Sequence, residues 1–293
     1  MYTIPFKSAH QYDGLVGSKA KNLSYMLNHG LSVPGGFVIT MKAFNRCLEE
    51  NHLDIHDKRL EEKLHDIKIP DDVAYVVKND FEELLKIYNA AAVRSSSEAE
   101  DLEDASFAGQ YETFLNITTV TELFKKLKAC WASMFTEQVM KYLEKMSANP
   151  DQLAMGVVVQ GLIHSDISGV MFSANPVTQN QKEVMINASY GLGEAIVSGI
   201  VTPDQFIVNK DTKEIQKEKG LKEIKILPLD EGIETLETTH EEQNRFSVTD
   251  SQVQELAEMA IKVEKLYGHS VDIEFGIQGD QIYILQARPI TAI

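Results

Sequence analysis

Cysteine is nearly absent from this chain: 293 residues hold two, Cys47 and Cys130, both in helical-looking runs with no CxxC spacing and no histidine cluster. That argues against a disulfide framework and structural zinc, and leaves buried free thiols as the expectation. No stretch approaches the ~18–20 apolar residues of a membrane span. The opening run Met1-Tyr2-Thr3-Ile4-Pro5-Phe6-Lys7 lacks the basic-then-apolar layout of a signal peptide, so a cytoplasmic location is expected. Positive charge is short as well, with 28 Lys and Arg against 44 Asp and Glu for a formal net charge of −16. Such a balance argues against nucleic acid or an anionic membrane as the main partner. A nucleotide stays open, because a phosphate ligand needs only a few well-placed cations. Repeats, low-complexity tracts and Ser- or Pro-rich linkers are missing too.

What is present is the composition of a globular protein, 43% hydrophobic and 25% charged, at a length that suits one large domain or two ordinary ones. Strands and helices mix without strict βα alternation, which predicts an α+β protein built in lobes. The spacing predicts helices over Met41 to about Asn51, within 58–88 on either side of Pro70, and within 120–146, where Trp131 reads as core. Met155 to Gln160 and Ser168 to Ser173 read as strands, and Thr202 to Leu229 as meandering strands with a turn at Asn209-Lys210-Asp211-Thr212-Lys213. Thr249-Asp250-Ser251 caps a helix running to Tyr267, with Gly268 just beyond it.

Against that frame a few basic and small residues carry information. Gly17-Ser18-Lys19 leads into a helix with Leu23, Met26 and Leu27 on one stripe and Gly30 placed to end it. A lysine beside the N–H groups of a helix entry suits phosphate, although the segment is too short for a Walker A motif and a loop lysine is ordinarily just solvated. Ala91-Ala92-Val93-Arg94-Ser95-Ser96-Ser97 sets an arginine on a small apolar strand before three hydroxyls, an anion-binding layout or a strand-edge arginine with a Ser-rich turn. Five acids between Glu98 and Asp104 read as a solvated loop. In Ser106-Phe107-Ala108-Gly109-Gln110, the small residues around Gly109 let backbone approach a ligand closely. His164 lies in a loop, where a lone histidine is more often structural or exposed than catalytic. Gly191-Leu192-Gly193-Glu194 lacks the third glycine and downstream acid of a dinucleotide fingerprint.

The C-terminal hairpin is the most informative segment. In Val271-Asp272-Ile273-Glu274-Phe275 the apolar residues share one face, so Asp272 and Glu274 share the other; in the following run Gln286 and Arg288 likewise share a face. Register decides whether the two pairs meet. A strict two-residue turn at Gly279-Asp280 pairs Ile273 with Gln286 and splits the polar groups, because a shift of one residue flips every side chain. A three-residue loop or a bulge puts all four on one face, an arrangement suited to Mg²⁺ and polyphosphate, and this is the expectation. The competing reading is a solvated hairpin face.

Gly17-Ser18-Lys19, Val93-Arg94-Ser95-Ser96, Ser106 to Gln110, Gly169-Val170-Met171-Phe172-Ser173, Gly191 to Glu194 and Gln286-Ala287-Arg288-Pro289, in that order, resemble the N-terminal nucleotide-binding domain of the phosphoenolpyruvate synthase, pyruvate phosphate dikinase and rifampicin phosphotransferase family. The resemblance covers nearly all of 1–293 and implies an ATP-grasp fold, with a small helical insertion and lobes of about 1–175 and 176–293 that close over ATP and Mg²⁺. It implies that Lys19, Arg94 and Arg288 serve catalysis by gripping phosphates, that Gly109 and Gln110 belong to a covering loop, and that Gln160 lies by the adenine near Val158 to Leu162. Glu274 and Gln286 would hold the metal, with Asp272 close by. In the family the β-phosphoryl group of ATP passes to a histidine on a swivelling domain, which delivers it to pyruvate, water or an antibiotic. No Thr-x-x-Gly-Gly run precedes any of the eight histidines here, so that partner is expected elsewhere in a longer chain or on another one; Thr291-Ala292-Ile293 falls where the family's linker would begin. The family's usual Gly-Gly-Lys-Gly reads Gly17-Ser18-Lys19-Ala20, which narrows the loop's backbone freedom and leaves its charge intact. A non-catalytic nucleotide sensor and an ATP-grasp carboxylate–amine ligase are the alternatives.

Overall fold

The computed structural model describes residues 1–97, 113–145, 155–230 and 232–290. The chain divides into two compact units, one of Met1–Asn28 and Gly35–Leu162, the other of His29–Pro34 and Ile163–Ile293.

In the first unit, strands β1 (Thr3–Pro5), β2 (Gly36–Ile39), β3 (Ala91–Ser97), β4 (Thr113–Ile117) and β5 (Met155–Gly161) form one sheet in the order β1-β2-β5-β3-β4. Every neighbouring pair in it is antiparallel. Register settles its faces. Phe37 and Val93 flank Val159, and Ile39 flanks Val157. These side chains join one core with Phe44 and Cys47 of helix α3 (Met41–Glu50), Val77 and Phe81 of α5 (Asp71–Tyr88), and Leu127, Cys130 and Trp131 of α6 (Val120–Ala132). Trp131 is fully buried against Phe44, ring centroids 5.3 Å apart. Cys47 and Cys130 are free and buried, and burial pushes the Cys47 thiol up to about 12. On the opposite face lie Val38, Val158, Gln160, Ala92, Arg94 and Ser96, by the same alternation. The middle of β5 is therefore apolar on both faces, as its Val157-Val158-Val159 run requires. Helices α1 (Phe6–Ala9), α2 (Ser18–Asn28), α4 (Leu60–Leu64) and α7 (Glu137–Lys145) complete this unit.

The second unit holds an antiparallel six-stranded sheet of β6 (Ile167–Phe172), β7 (Glu183–Tyr190), β8 (Asp204–Asn209), β9 (Ile215–Glu218), β12 (Val271–Gln278) and β13 (Gln281–Pro289), ordered β13-β12-β6-β7-β8-β9. Strands β10 (Ile224–Pro228) and β11 (Ile233–Glu237) pair separately, and α8 (Glu194–Val197) and α9 (His240–Asn244) are short. Helix α10 (Asp250–Tyr267) begins in a capping box between Thr249 and Gln252 and ends at Gly268. Its buried stripe of Val253, Leu256, Ala257, Ala260 and Val263 covers one face of the sheet. That face carries the row Ile273, Met171, Ile186 and Phe206 across β12, β6, β7 and β8; Ser173 on the same side donates to Glu264 of α10 at 3.1 Å. A fully buried ion pair ties β8 to its surroundings. Asp204 accepts from Lys222 Nζ at 2.7 Å and Gly220 N at 3.0 Å on one oxygen, and from the backbone and hydroxyl of Ser247 at 2.6 and 2.8 Å on the other. With every oxygen engaged the pair is tolerated, and removing one partner would cost about 3–5 kcal/mol.

Leaving β5, the chain passes into the second unit between Leu162 and Ile163, and β6 pairs with β7 and β12. Among the described residues, no helix is long and apolar enough to cross a membrane.

Candidate functional site

The first unit gathers Lys19, Arg94 and Gln160. Arg94 stands opposite Val158 and Gln160 opposite Ala92, so both side chains project from the face turned away from the core. Arg94 is 8% exposed and Gln160 1%, and the Gln160 Nε2 has no hydrogen-bond partner. A buried amide nitrogen left unsatisfied costs about 1–3 kcal/mol, which a ligand acceptor would recover. Lys19 lies in the first turn of α2 and donates to the Ser95 carbonyl at 2.9 Å, so its ammonium sits beside the strand that carries Arg94. This is a cationic patch built from a helix start and a strand, with the partial positive charge of the helix N-terminus added to the lysine. Gly109 and Gln110 lie outside the described residues. His164 is exposed.

The second unit gathers Asp272, Glu274, Gln286 and Arg288. The Gly279-Asp280 turn has two residues, since Gln278 pairs with Gln281 and Ile277 with Ile282. Gly279 takes the φ of +57° that such a turn needs, and its N–H is held at 2.8 Å by Asp166. The expected odd-numbered loop therefore does not form. The other expected device does: Phe275 pairs with Ile284 and Glu274 with Gln286, so the register shifts and Leu285 is the extra residue of a bulge. Beyond it Glu274 faces Gln286, Asp272 faces Arg288, and all four share the face opposite α10. Directly opposed side chains of this kind have Cβ atoms about 4.5–5.5 Å apart.

Charge on this face is uneven. Arg288 bonds Asp272 through Nε at 2.8 Å and a terminal nitrogen at 2.7 Å, both to the same oxygen. The Asp272 side chain is 12% exposed. Burial pushes its carboxyl above the ordinary aspartate value; Arg288 opposes that shift, and the neighbouring charge of Glu274 adds to it. Asp272 is thus occupied by Arg288, while Glu274 and Gln286 stand as an opposed pair of oxygen donors. Among the described residues there is no group of three or more His, Cys, Asp and Glu able to hold a metal by itself. Sequence reasoning reached each of these side chains. It missed Asp166, whose grip on Gly279 fixes the turn and which carries no local signature, and it did not locate the bulge at Leu285.

Residues 13–293 match the family model described as "Pyruvate phosphate dikinase, AMP/ATP-binding domain". The chain is 51% identical over its whole length to "Uncharacterized phosphotransferase YvkC" of Bacillus subtilis, covering 35% of that protein. It is 34% identical to the rifampicin phosphotransferase of the same organism, with 95% of this chain and 34% of that protein aligned. To the phosphoenolpyruvate synthase of Pyrococcus furiosus it is 35% identical, over 95% and 42%. The chain belongs to the pyruvate phosphate dikinase AMP/ATP-binding domain family. It spans well under half the length of these curated relatives. Among solved structures, Cdc123 of Schizosaccharomyces pombe aligns over 97% of this chain and 85% of its own at 10% identity and a TM-score of 0.43, a likeness too slight to carry an argument.

Proposed function

We propose that this chain is the ATP-binding module of a dikinase-type phosphotransferase, passing the β-phosphoryl group of ATP to a histidine on a separate swivelling domain. The observation that carries the reading is the bulge at Leu285, which sets Glu274 opposite Gln286 and Asp272 opposite Arg288 on one face in a chain of this family.

The fold expected with that role is ATP-grasp. Lys19 and Arg94 hold phosphate oxygens; the near-complete burial of Arg94 strengthens its bonds to an anion, since little water competes. Gln160 offers its unsatisfied amide to the adenine. Glu274 and Gln286 fit Mg²⁺, a hard cation that takes one or two protein oxygens and fills the rest of its shell with phosphate and water. When bound, the ion supplies charge neutralisation at the phosphates. Arg288, held in place by Asp272, adds positive charge at the edge of the same face. With cations on strands and at a helix start, the work of this chain is binding and orienting; phosphoryl transfer needs little further covalent help from the protein.

The test is to incubate the chain with Mg²⁺ and ATP, alone and with a histidine-bearing swivelling domain of the family. The expected result is bound but unconsumed ATP in the first case and AMP with a phosphorylated histidine in the second. Rapid AMP formation by the chain alone contradicts the module reading, and ADP as the product favours ligase-type chemistry.

A further inference from the structure

We propose that Ser96 is a positioning residue that caps the Lys19 helix from outside and fixes the lysine against the strand bearing Arg94. The proposal rests on the phosphate-binding reading of Lys19 and Arg94 and goes beyond it.

Helix α2 starts at Ser18 and has no acid in its first turn. A helix start exposes N–H groups with no partner inside the helix, and a side-chain oxygen normally caps one of them from the residue just ahead. Here that residue is Gly17, which has no side chain. The acceptor comes instead from far away in sequence: the Ala20 N–H donates to the Ser96 hydroxyl oxygen at 3.1 Å, in a fully buried bond. Ser96 is 0% exposed. The approach depends on the absence of a side chain at residue 17, where a Cβ would lie 1.9 Å from the Ser96 carbonyl oxygen. One residue earlier on the strand, the Ser95 carbonyl takes the Lys19 ammonium at 2.9 Å.

Ser96 and Arg94 are two residues apart on β3 and share a face. The hydroxyl at 96 therefore sets how far the Lys19 helix stands from the Arg94 guanidinium, and hence the spacing of the two cations offered to a polyphosphate. It also anchors the first turn of α2 to β3, with Gly17 allowing the close approach. Because Ser96 touches the helix and not the ligand, its removal should disturb phosphate binding and spare recognition of the base.

The experiment measures ATP and adenosine affinity for the wild type, Ser96→Ala, Ser96→Thr, Lys19→Met and the Lys19→Met/Ser96→Ala double variant, with amide exchange at Ala20 in the nucleotide-free protein. Ser96→Ala should speed exchange at Ala20 and weaken ATP binding about tenfold, the scale of a lost cap. It should leave adenosine affinity unchanged and add little to Lys19→Met, and Ser96→Thr should recover most of the loss. Equal weakening of ATP and adenosine, or full additivity with Lys19→Met, would overturn the proposal in favour of a merely structural serine. Unchanged ATP affinity in Ser96→Ala overturns it as well. Wild-type protein that binds no ATP at all brings down the phosphate-binding reading first, before any variant is compared.

Discussion

The two sheets solve one problem by different means. Each buries one face under helices and carries its candidate residues on the other, yet β3 and β5 reach this through an unbroken register, whereas β12 and β13 reach it only through a bulge. In the first sheet the cation and the amide stand on a face that follows directly from alternation, and a helix start contributes the second cation. In the second, alternation alone would set Gln286 opposite Ile273, on the side α10 covers. One inserted residue, Leu285, reverses that. The difference teaches that the two halves have different weak points: charge and capping in the first, chain length in the second.

The largest effect is expected from inserting one alanine between Leu285 and Gln286. With the two-residue turn pinned by Asp166 and a bulge that absorbs a single extra residue, the lengthened strand carries Gln286 and Arg288 one place on, to the covered face. Mg²⁺-dependent ATP binding should fall by at least about a hundredfold, because every side chain past the insertion changes face. Deleting Leu285 removes the bulge yet leaves Glu274 opposite Gln286 and Asp272 opposite Arg288, and should bind ATP within a few-fold of wild type. Equal losses in the two variants would mean that the register does not matter.

Arg94→Met attacks the first sheet, where no register change can compensate. About a tenfold to hundredfold loss of ATP affinity is expected, the scale of a lost charge-assisted pair, with adenosine affinity retained. Arg94→Lys should recover only part, since an ammonium cannot reproduce the two-pronged grip of a guanidinium. Full recovery by lysine would reduce Arg94 to a point charge.

A smaller effect concerns Asp272. Its raised folded value means that ionising it costs the folded state, so its stability contribution is fully present below the ordinary aspartate range and is lost as pH rises through the raised value. Asp272→Asn, which can still accept from Arg288, should therefore melt above wild type near neutral pH, with the gap closing on acidification. Thermal melts across that range check this. A pH-independent gap would show that Arg288 cancels the burial penalty in full.

Much of this was legible in the sequence, for reasons that particular residues make plain. Alternation alone placed Asp272 with Glu274 and Gln286 with Arg288, and the capping signals of Thr249 and Gly268 marked α10 within two residues. Gly279-Asp280 announced its turn. The bulge could be demanded from chemistry but not located, because Leu285 is an ordinary apolar strand residue and a bulge leaves no local composition. The sheet to which each of β5 and β6 belongs was hidden for a related reason: they are short apolar strands with five residues between them, and their membership in separate sheets depends on pairings with residues far along the chain. Ser96 was visible as one hydroxyl among three, and only the fold shows which of them meets Ala20.

The central claim is that the bulged hairpin presents oxygens that hold magnesium with ATP. Calorimetric titration of ATP into the wild type and Glu274→Gln, each with and without Mg²⁺, tests it most directly. The account predicts that Mg²⁺ tightens ATP binding to the wild type and that most of this gain disappears in Glu274→Gln, while metal-free ATP binding is similar in the two. Equal affinity with and without Mg²⁺ in the wild type, or an undiminished magnesium gain in the variant, would contradict it.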